Sequence, residues 1–226
     1  MIKMQGVSKS FRLHGQSLPI LQLAQWQVSK GENIALMGPS GCGKSTLLHL
    51  LSGVMTADQG EIWVDGQPVH LLSEGKRDRY RADKIGYIFQ DFHLISSLTV
   101  KQNVELILPR TWSKKESADK LAYWFERVGL SDRQQHLPSQ LSRGQQQRAA
   151  IVRALITKPL LVLADEPTGS LDWETASEMM AMLLEICKDE QLTLLTVTHD
   201  RQLADMFPKR VHMHELNDLH KGAALV

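Results

Sequence analysis

Four apolar residues, Ile34 to Met37, run straight into Gly38-Pro39-Ser40-Gly41-Cys42-Gly43-Lys44-Ser45-Thr46, and an apolar helix start, Leu47-Leu48, follows at once. Glycines let the backbone of such a loop curl until successive N–H groups point inward, and the helix N-terminus behind it adds partial positive charge. That concavity suits phosphate oxygens. The spacing G-x-x-x-x-G-K-[ST] between a strand and a helix is the P-loop pattern. It commits this part of the chain to a buried strand with a nucleotide held at its C-terminal end. Lys44 is expected to reach the β and γ phosphates, where it serves catalysis as well as binding, and the Ser45 hydroxyl to ligate Mg²⁺. Cys42 reads as a small filler whose backbone N–H does the binding.

Three further apolar runs read as buried strands: Ile85 to Phe89, Leu160 to Ala164 and Leu192 to Val197. None alternates strictly, as expected of a parallel sheet covered by helices on both faces. Helical patterns fall between them. From Ala118 the apolar positions Leu121, Ala122, Phe125 and Val128 keep to one helical face, with Ser113 and Glu116 at capping-box spacing in front and Gly129 as a stop. Another helix is predicted from about Gln145 to Thr157, ended by Pro159, and a third from about Thr175 to Lys188. Strand and helix in turn predict an α/β fold with a largely parallel sheet. The first 30 residues, and Glu61 to Val69 around the turn pair Asp65-Gly66, read instead as antiparallel strands. The expected organisation is one domain over residues 1–226. Residues 1–90 and 158–226 form the core with its antiparallel β-subdomain, and about 91–157 form an inserted helical lobe.

Two carboxylates, Asp165 and Glu166, close the third of these strands and are followed by Pro167. Open α/β sheets bind ligands at that edge. A P-loop enzyme needs one carboxylate near Mg²⁺ and a group that orients or deprotonates the attacking water. Asp165 suits the first role and Glu166 the second, with helix capping and surface charge as the bland alternative. The fourth strand ends in Thr198-His199-Asp200, which puts His199 at the same edge, where a donor could reach the γ phosphate. Gln90 ends its own strand likewise, and its neutral side chain could bind Mg²⁺ or water without adding charge. Before the acidic strand stands Leu141-Ser142-Arg143-Gly144-Gln145-Gln146-Gln147-Arg148. Ser142 and Gly144 there place a hydroxyl and free N–H groups at a helix start, either as a second anion site or as ordinary capping.

Composition limits the alternatives. Lys plus Arg (26) nearly balances Asp plus Glu (25), so net charge supplies no field for nucleic acid, and no nucleic-acid partner is expected. Two cysteines, Cys42 and Cys187, form neither a disulfide framework nor a metal pattern, which fits a reducing compartment. The first ten residues lack an apolar signal core, and no apolar run reaches the roughly 18 to 20 residues of a membrane span. Neither a signal peptide nor a crossing helix is expected.

Taken in order along the chain, these segments resemble the nucleotide-binding domains of ATP-binding cassette (ABC) proteins. They are a Walker A at Gly38 to Thr46, a Q-loop at Gln90, a signature at Leu141 to Gln145, and a Walker B through Asp165 followed by Glu166. A D-loop at Ser170-Leu171-Asp172 and a switch histidine at His199 complete the series. The resemblance covers nearly the whole chain. It implies an α/β P-loop NTPase core with an antiparallel β-subdomain and a helical signature subdomain, with ATP and Mg²⁺ as cofactors. It also implies a head-to-tail dimer, in which the signature of one chain closes over ATP on the Walker A of the other. Ser142, Gly144 and Gln145 would then meet nucleotide across the interface, Glu166 would act as general base, His199 would hold the γ phosphate, and Asp172 would join the two sites. Phe11 stands where this family stacks an aromatic on adenine; a packed core Phe is the alternative. Arg143 departs from the family pattern, in which glycine is commonest at that position.

Asp165-Glu-Pro-Thr-Gly-Ser-Leu-Asp172 and Ile85-Gly-Tyr-Ile-Phe-Gln90-Asp-Phe-His-Leu are most similar to the type VII group of MacB-like, LolD-like and FtsE ATPases. That similarity implies a separate integral membrane permease and a peripheral position on the cytoplasmic face of the inner membrane. An FtsE-like cell-division role or a soluble non-transport ATPase is the alternative. The chain ends 27 residues after His199, which leaves no room for a C-terminal regulatory domain, so substrate recognition is expected elsewhere. Phe92, Leu94, Ile95 and Leu98 lie where the family docks its permease, or else belong to the lobe core.

Overall fold

The computed structural model describes residues 1–13 and 15–220. The first half runs β1 (Ile2–Leu13), β2 (Gln16–Val28), β3 (Asn33–Met37), α1 (Lys44–Leu51), β4 (Gln59–Val64), β5 (Gln67–Pro68), α2 (Glu74–Lys84), β6 (Ile85–Ile88) and α3 (Val100–Glu105). The second runs α4 (Lys114–Arg127), α5 (Arg143–Leu155), β7 (Leu161–Asp165), α6 (Trp173–Asp189), β8 (Thr193–Thr198), α7 (Arg201–Asp205), β9 (Lys209–His212) and α8 (Met213–Leu216).

The strands of the described residues form two sheets. Five lie parallel in the order β6-β7-β8-β3-β9, and four lie antiparallel in the order β2-β1-β4-β5. Successive strand residues point to opposite faces, and the parallel strands show the consequence. Ala35, Met37, Val162, Ala164 and Leu194 pack into one apolar cluster with α4, α5 and α6. Ile34, Leu36, Leu161, Leu163, Leu195 and Val197 pack into another, with α1 and the inner face of the antiparallel sheet. Both faces are covered, which is why these strands read as largely apolar runs without strict alternation. The hairpin between β4 and β5 turns on Asp65 (φ 49°) and Gly66 (φ 77°), the paired left-handed residues of a two-residue loop.

The strand β9 and the helix α2 are among the elements that the structure adds to the sequence reading. The strand β9 has only Val211 buried and pairs through its backbone with β3, Ile34 to Met37 opposite Lys209 to His212. An edge strand of this kind carries no apolar period. The helix α2 buries only Tyr80, whose hydroxyl donates to the Leu51 carbonyl at 2.8 Å.

Among the described residues no strand interrupts 91–157. Three caps organise this stretch. Thr99 and Gln102 form a reciprocal box on α3, as do Ser142 and Gln145 on α5. The expected box at Ser113 and Glu116 forms only by half: Ser113 Oγ accepts from the Glu116 amide at 3.1 Å, while the Glu116 carboxylate turns to Lys120. Capping by Ser142 also starts α5 two residues ahead of the position expected from apolar periodicity. No helix among the described residues is long and apolar enough to cross a membrane.

The connection leading into α3 is held from inside. Asn103 is fully buried; its Nδ2 donates to the carbonyls of Ile95 (3.1 Å), Leu98 (3.1 Å) and Thr99 (3.0 Å), and its Oδ1 accepts from the Ile95 amide (2.7 Å). Arg153 of α5 donates to the carbonyls of Phe92 and His93. Asn103→Ala strands buried backbone groups and is expected to cost about 2–4 kcal/mol in a urea titration. The amides of 95–99 should lose exchange protection before the rest of the chain.

Candidate functional site: a phosphate loop facing two carboxylates and a histidine

Because β7, β8 and β3 are parallel neighbours, their C-terminal ends share one edge, and the chemistry-bearing residues lie just past those ends. A cleft of about 290 Å³ opens there, lined by Phe11, Ile20, Ser40, Gly41, Gly43, Lys44, Ser45, Thr46 and Glu166. The helix behind it, α1, begins at Gly43 with φ 97° and no side-chain cap, so its first-turn N–H groups stay available to an anion. A side chain at Gly43 would also press on the Ile20 carbonyl, 3.0 Å from its Cβ. Lys44 is buried and folds over the loop, its Nζ donating to the carbonyls of Gly38 and Pro39, each at 2.8 Å. Cys42 is buried beneath the loop, and its carbonyl accepts from Asn217 Nδ2 at 3.3 Å. Cys187 is buried too, and burial pushes its thiol up to about 12.

Asp165 ends β7. Burial raises its pKa, and the Ser45 hydroxyl, His49 and Lys44 offset part of that. Glu166 follows with φ 45°, a left-handed conformation that is strained for a residue with a side chain, of order 1–3 kcal/mol. Its amide donates to the Val197 carbonyl at 3.0 Å and its carbonyl accepts from the Gly169 amide at 3.0 Å, so the surrounding turn enforces the strain. The carboxylate meets His199 Nδ1 at 3.1 Å. Glu166 thus stands between the first cleft and a second of about 250 Å³, lined by Thr168, Gly169, Leu171, Trp173 and His199 among others. Gln90 borders the same turn: a Cβ on Gly169 would lie 3.2 Å from Gln90 Nε2. Phe11 is 39% exposed and faces the first cleft, which rules out a core role.

Ser142, Gly144 and Gln145 do not line the P-loop cleft. Ser142 Oγ accepts from the Gln145 amide (3.2 Å) and Gln145 Oε1 from the Ser142 amide (3.0 Å), which leaves the amides of Arg143 and Gly144 without intrahelical acceptors. A side chain at Gly144 would press on α6, its Cβ 2.9 Å from Thr175 Cγ2, so that Thr175 would have to shift. Asp172 caps α6, accepting from the Thr175 amide (3.0 Å) and hydroxyl (2.8 Å), and those bonds hold its carboxyl below the usual carboxylate range.

Residues 21–169 match the family described as ABC transporter. The chain belongs to that family. Among its relatives, the lipoprotein-releasing system ATP-binding protein LolD 1 of Rhodopirellula baltica is 39% identical, with 94% of this chain and 93% of that protein aligned. The ABC transporter ATP-binding protein YtrE of Bacillus subtilis is 38% identical, with 95% of each covered. Among solved structures, the dimeric post-hydrolysis state of the ATP-binding cassette MJ0796, bound to ADP and Pi, aligns with a TM-score of 0.85. Its identity is 33%, with 96% of this chain and 95% of that chain covered. This cassette therefore hydrolyses ATP to energise transport.

Sequence reasoning passed over Ile20 and Asn217. Ile20 lines the cleft, and Asn217 is fully buried, donating to the Ile20 carbonyl at 2.8 Å as well as to Cys42. Neither sits in a motif, and Asn217 lies 175 residues along the chain from Cys42.

The partly buried charge of Asp165 works against the nucleotide-free fold. Its folded pKa lies above the unfolded value, so its contribution is full at low pH and is lost as pH rises through the folded pKa. Asp165→Asn should remove that component of the pH dependence and raise the nucleotide-free thermal midpoint at neutral pH by about 2–4 °C.

Proposed function

We propose that ATP is bound between two head-to-tail copies of this cassette, which drive a separate integral membrane permease from the cytoplasmic face of the inner membrane. The observation that carries this is the convergence of Lys44, Ser45, Asp165, Glu166 and His199 on one sheet edge, with Glu166 and His199 in contact at 3.1 Å. The Gly38 to Thr46 loop cradles the phosphates, Lys44 balances their charge, and Phe11 offers its ring to the base.

Ser45, Asp165 and Gln90 are oxygen donors of the kind Mg²⁺ takes. Among the described residues no group of three or more His, Cys, Asp or Glu forms a metal cage. That fits a cation that draws its remaining ligands from phosphate and water. When bound, Mg²⁺ would neutralise charge on the phosphates. Glu166 accepts the proton of the attacking water, and its enforced backbone conformation together with His199 fixes where that proton goes.

The head-to-tail arrangement is supported by the signature residues. Ser142, Gly144 and Gln145 form a capped helix start with two free amides, away from their own chain's P-loop. A partner's nucleotide is the phosphate they would meet, and Asp172 would join the two sites. Similarity to the lipoprotein-releasing ATPase LolD 1 supports a LolD/MacB-like machine that transmits force to its permease. The permease would seat near Phe92, Leu94, Ile95 and Leu98. Leu94 packs against the core, whereas Ile95 is 48% exposed and Leu106 and Ile107 beyond it are exposed too.

Glu166→Gln should retain ATP binding, slow phosphate release about 10²- to 10⁴-fold and accumulate a dimer in ATP. Turnover at the wild-type rate would remove Glu166 from its role. Lys44→Ala should lose ATP affinity itself, read by direct nucleotide titration.

A further inference from the structure

Arg143 occupies the first turn of α5, where a cation is opposed by the helix dipole and adds nothing to helix stability. Its side chain has a different partner. Nη1 donates to the Ser170 carbonyl at 3.2 Å, reaching the turn that precedes α6 in the same chain. That turn is continuous with the proposed base: the Gly169 amide donates to the Glu166 carbonyl, and the Leu171 amide to the Thr168 carbonyl, each at 3.0 Å. Beside this link the junction is close-packed at Gly144 against Thr175 but poor in polar pairing. The Ser170 hydroxyl is buried without a partner, and so is the amide of Gln147, one helical turn beyond Arg143 on the same face.

We propose that Arg143 is a positioning residue that ties the head of α5 to the 166–171 turn. In the paired arrangement, on which this inference rests, the head of α5 serves the nucleotide of the partner, while the 166–171 turn carries the base for the chain's own nucleotide. Arg143 therefore joins the two half-sites of one chain. With glycine at this position no side chain would cross the junction, and the two turns would be joined only by packing. The strut acts before any nucleotide arrives, holding both turns in the relation that closure requires.

The test uses the full chain with Arg143→Ala and Arg143→Lys, each alone and combined with Glu166→Gln. Without nucleotide, exchange of the Leu171 amide should accelerate about 3- to 10-fold in Arg143→Ala, the range expected for loss of one hydrogen bond, and be partly restored in Arg143→Lys. ATP binding to the single subunit should be unchanged, while ATP-driven pairing in the Glu166→Gln background weakens and the Hill coefficient for hydrolysis falls toward one. Leu171 exchange at the wild-type rate in Arg143→Ala overturns the strut. This holds even if pairing weakens, since Arg143 would then be acting on phosphate directly. Failure of Glu166→Gln alone to pair in ATP overturns the paired-site reading instead, and leaves the Leu171 measurement to decide the strut.

Discussion

A parallel sheet buried on both faces has nowhere inside it for charge, and that constraint shapes the rest of this molecule. Along β3, β7 and β8 most side chains are apolar and shielded, one face against α4, α5 and α6 and the other against α1 and the antiparallel sheet, and the polar ones inside the strands are uncharged threonines. Charged groups are pushed to the strand ends. Since the three strands run the same way side by side, their C-terminal ends bring Lys44, Asp165, Glu166 and His199 to one edge. Those residues span more than two thirds of the chain; the packing that stabilises the fold also assembles the site.

Helix starts show how the cassette separates binding from structure. The helices α3, α5 and α6 begin on side-chain caps, Thr99, Ser142 and Asp172, each taking the amide three residues on; α3 also gives its first two amides to the His136 and Gln134 carbonyls, whereas α5 leaves those of Arg143 and Gly144 without intrahelical acceptors. The start of α1 has no side-chain cap at all. Left to water, that would be a weakness of a short helix. Wrapped by the Gly38 to Thr46 loop, the uncapped amides are what the proposed anion site would use, with the Lys44 head held by the carbonyls of Gly38 and Pro39. Glu166 carries a comparable cost, a left-handed backbone maintained by bonds to Val197 and Gly169.

How legible each part was in the sequence follows from what kind of force places it. The strands β3, β6, β7 and β8 announce themselves, because burial on both faces demands an apolar run, and each falls within a residue or so of the expected span. The P-loop and the Asp165-Glu166 pair were equally plain, since their chemistry depends on local order along the chain. The strand β9 was silent: Lys209, Arg210 and His212 become strand only because β3 offers an unpaired edge. The helix α2 was silent for a similar reason, with a single buried anchor in Tyr80. Asn103, Arg153 and Asn217 act on backbone groups of other segments, and a backbone carbonyl leaves no mark in a sequence.

By itself, then, the sequence determined the fold class, the family and the residue types of the phosphate loop and the acidic strand end, because hydrophobic period and loop chemistry are local properties. Only the tertiary structure decided that Phe11 faces the cleft, that His199 reaches Glu166, that the signature turn stands apart from its own P-loop, and that Arg143 spans to Ser170. Each of those is a distance between segments remote in sequence, set by how two sheets and a helical lobe pack, and no periodicity encodes it.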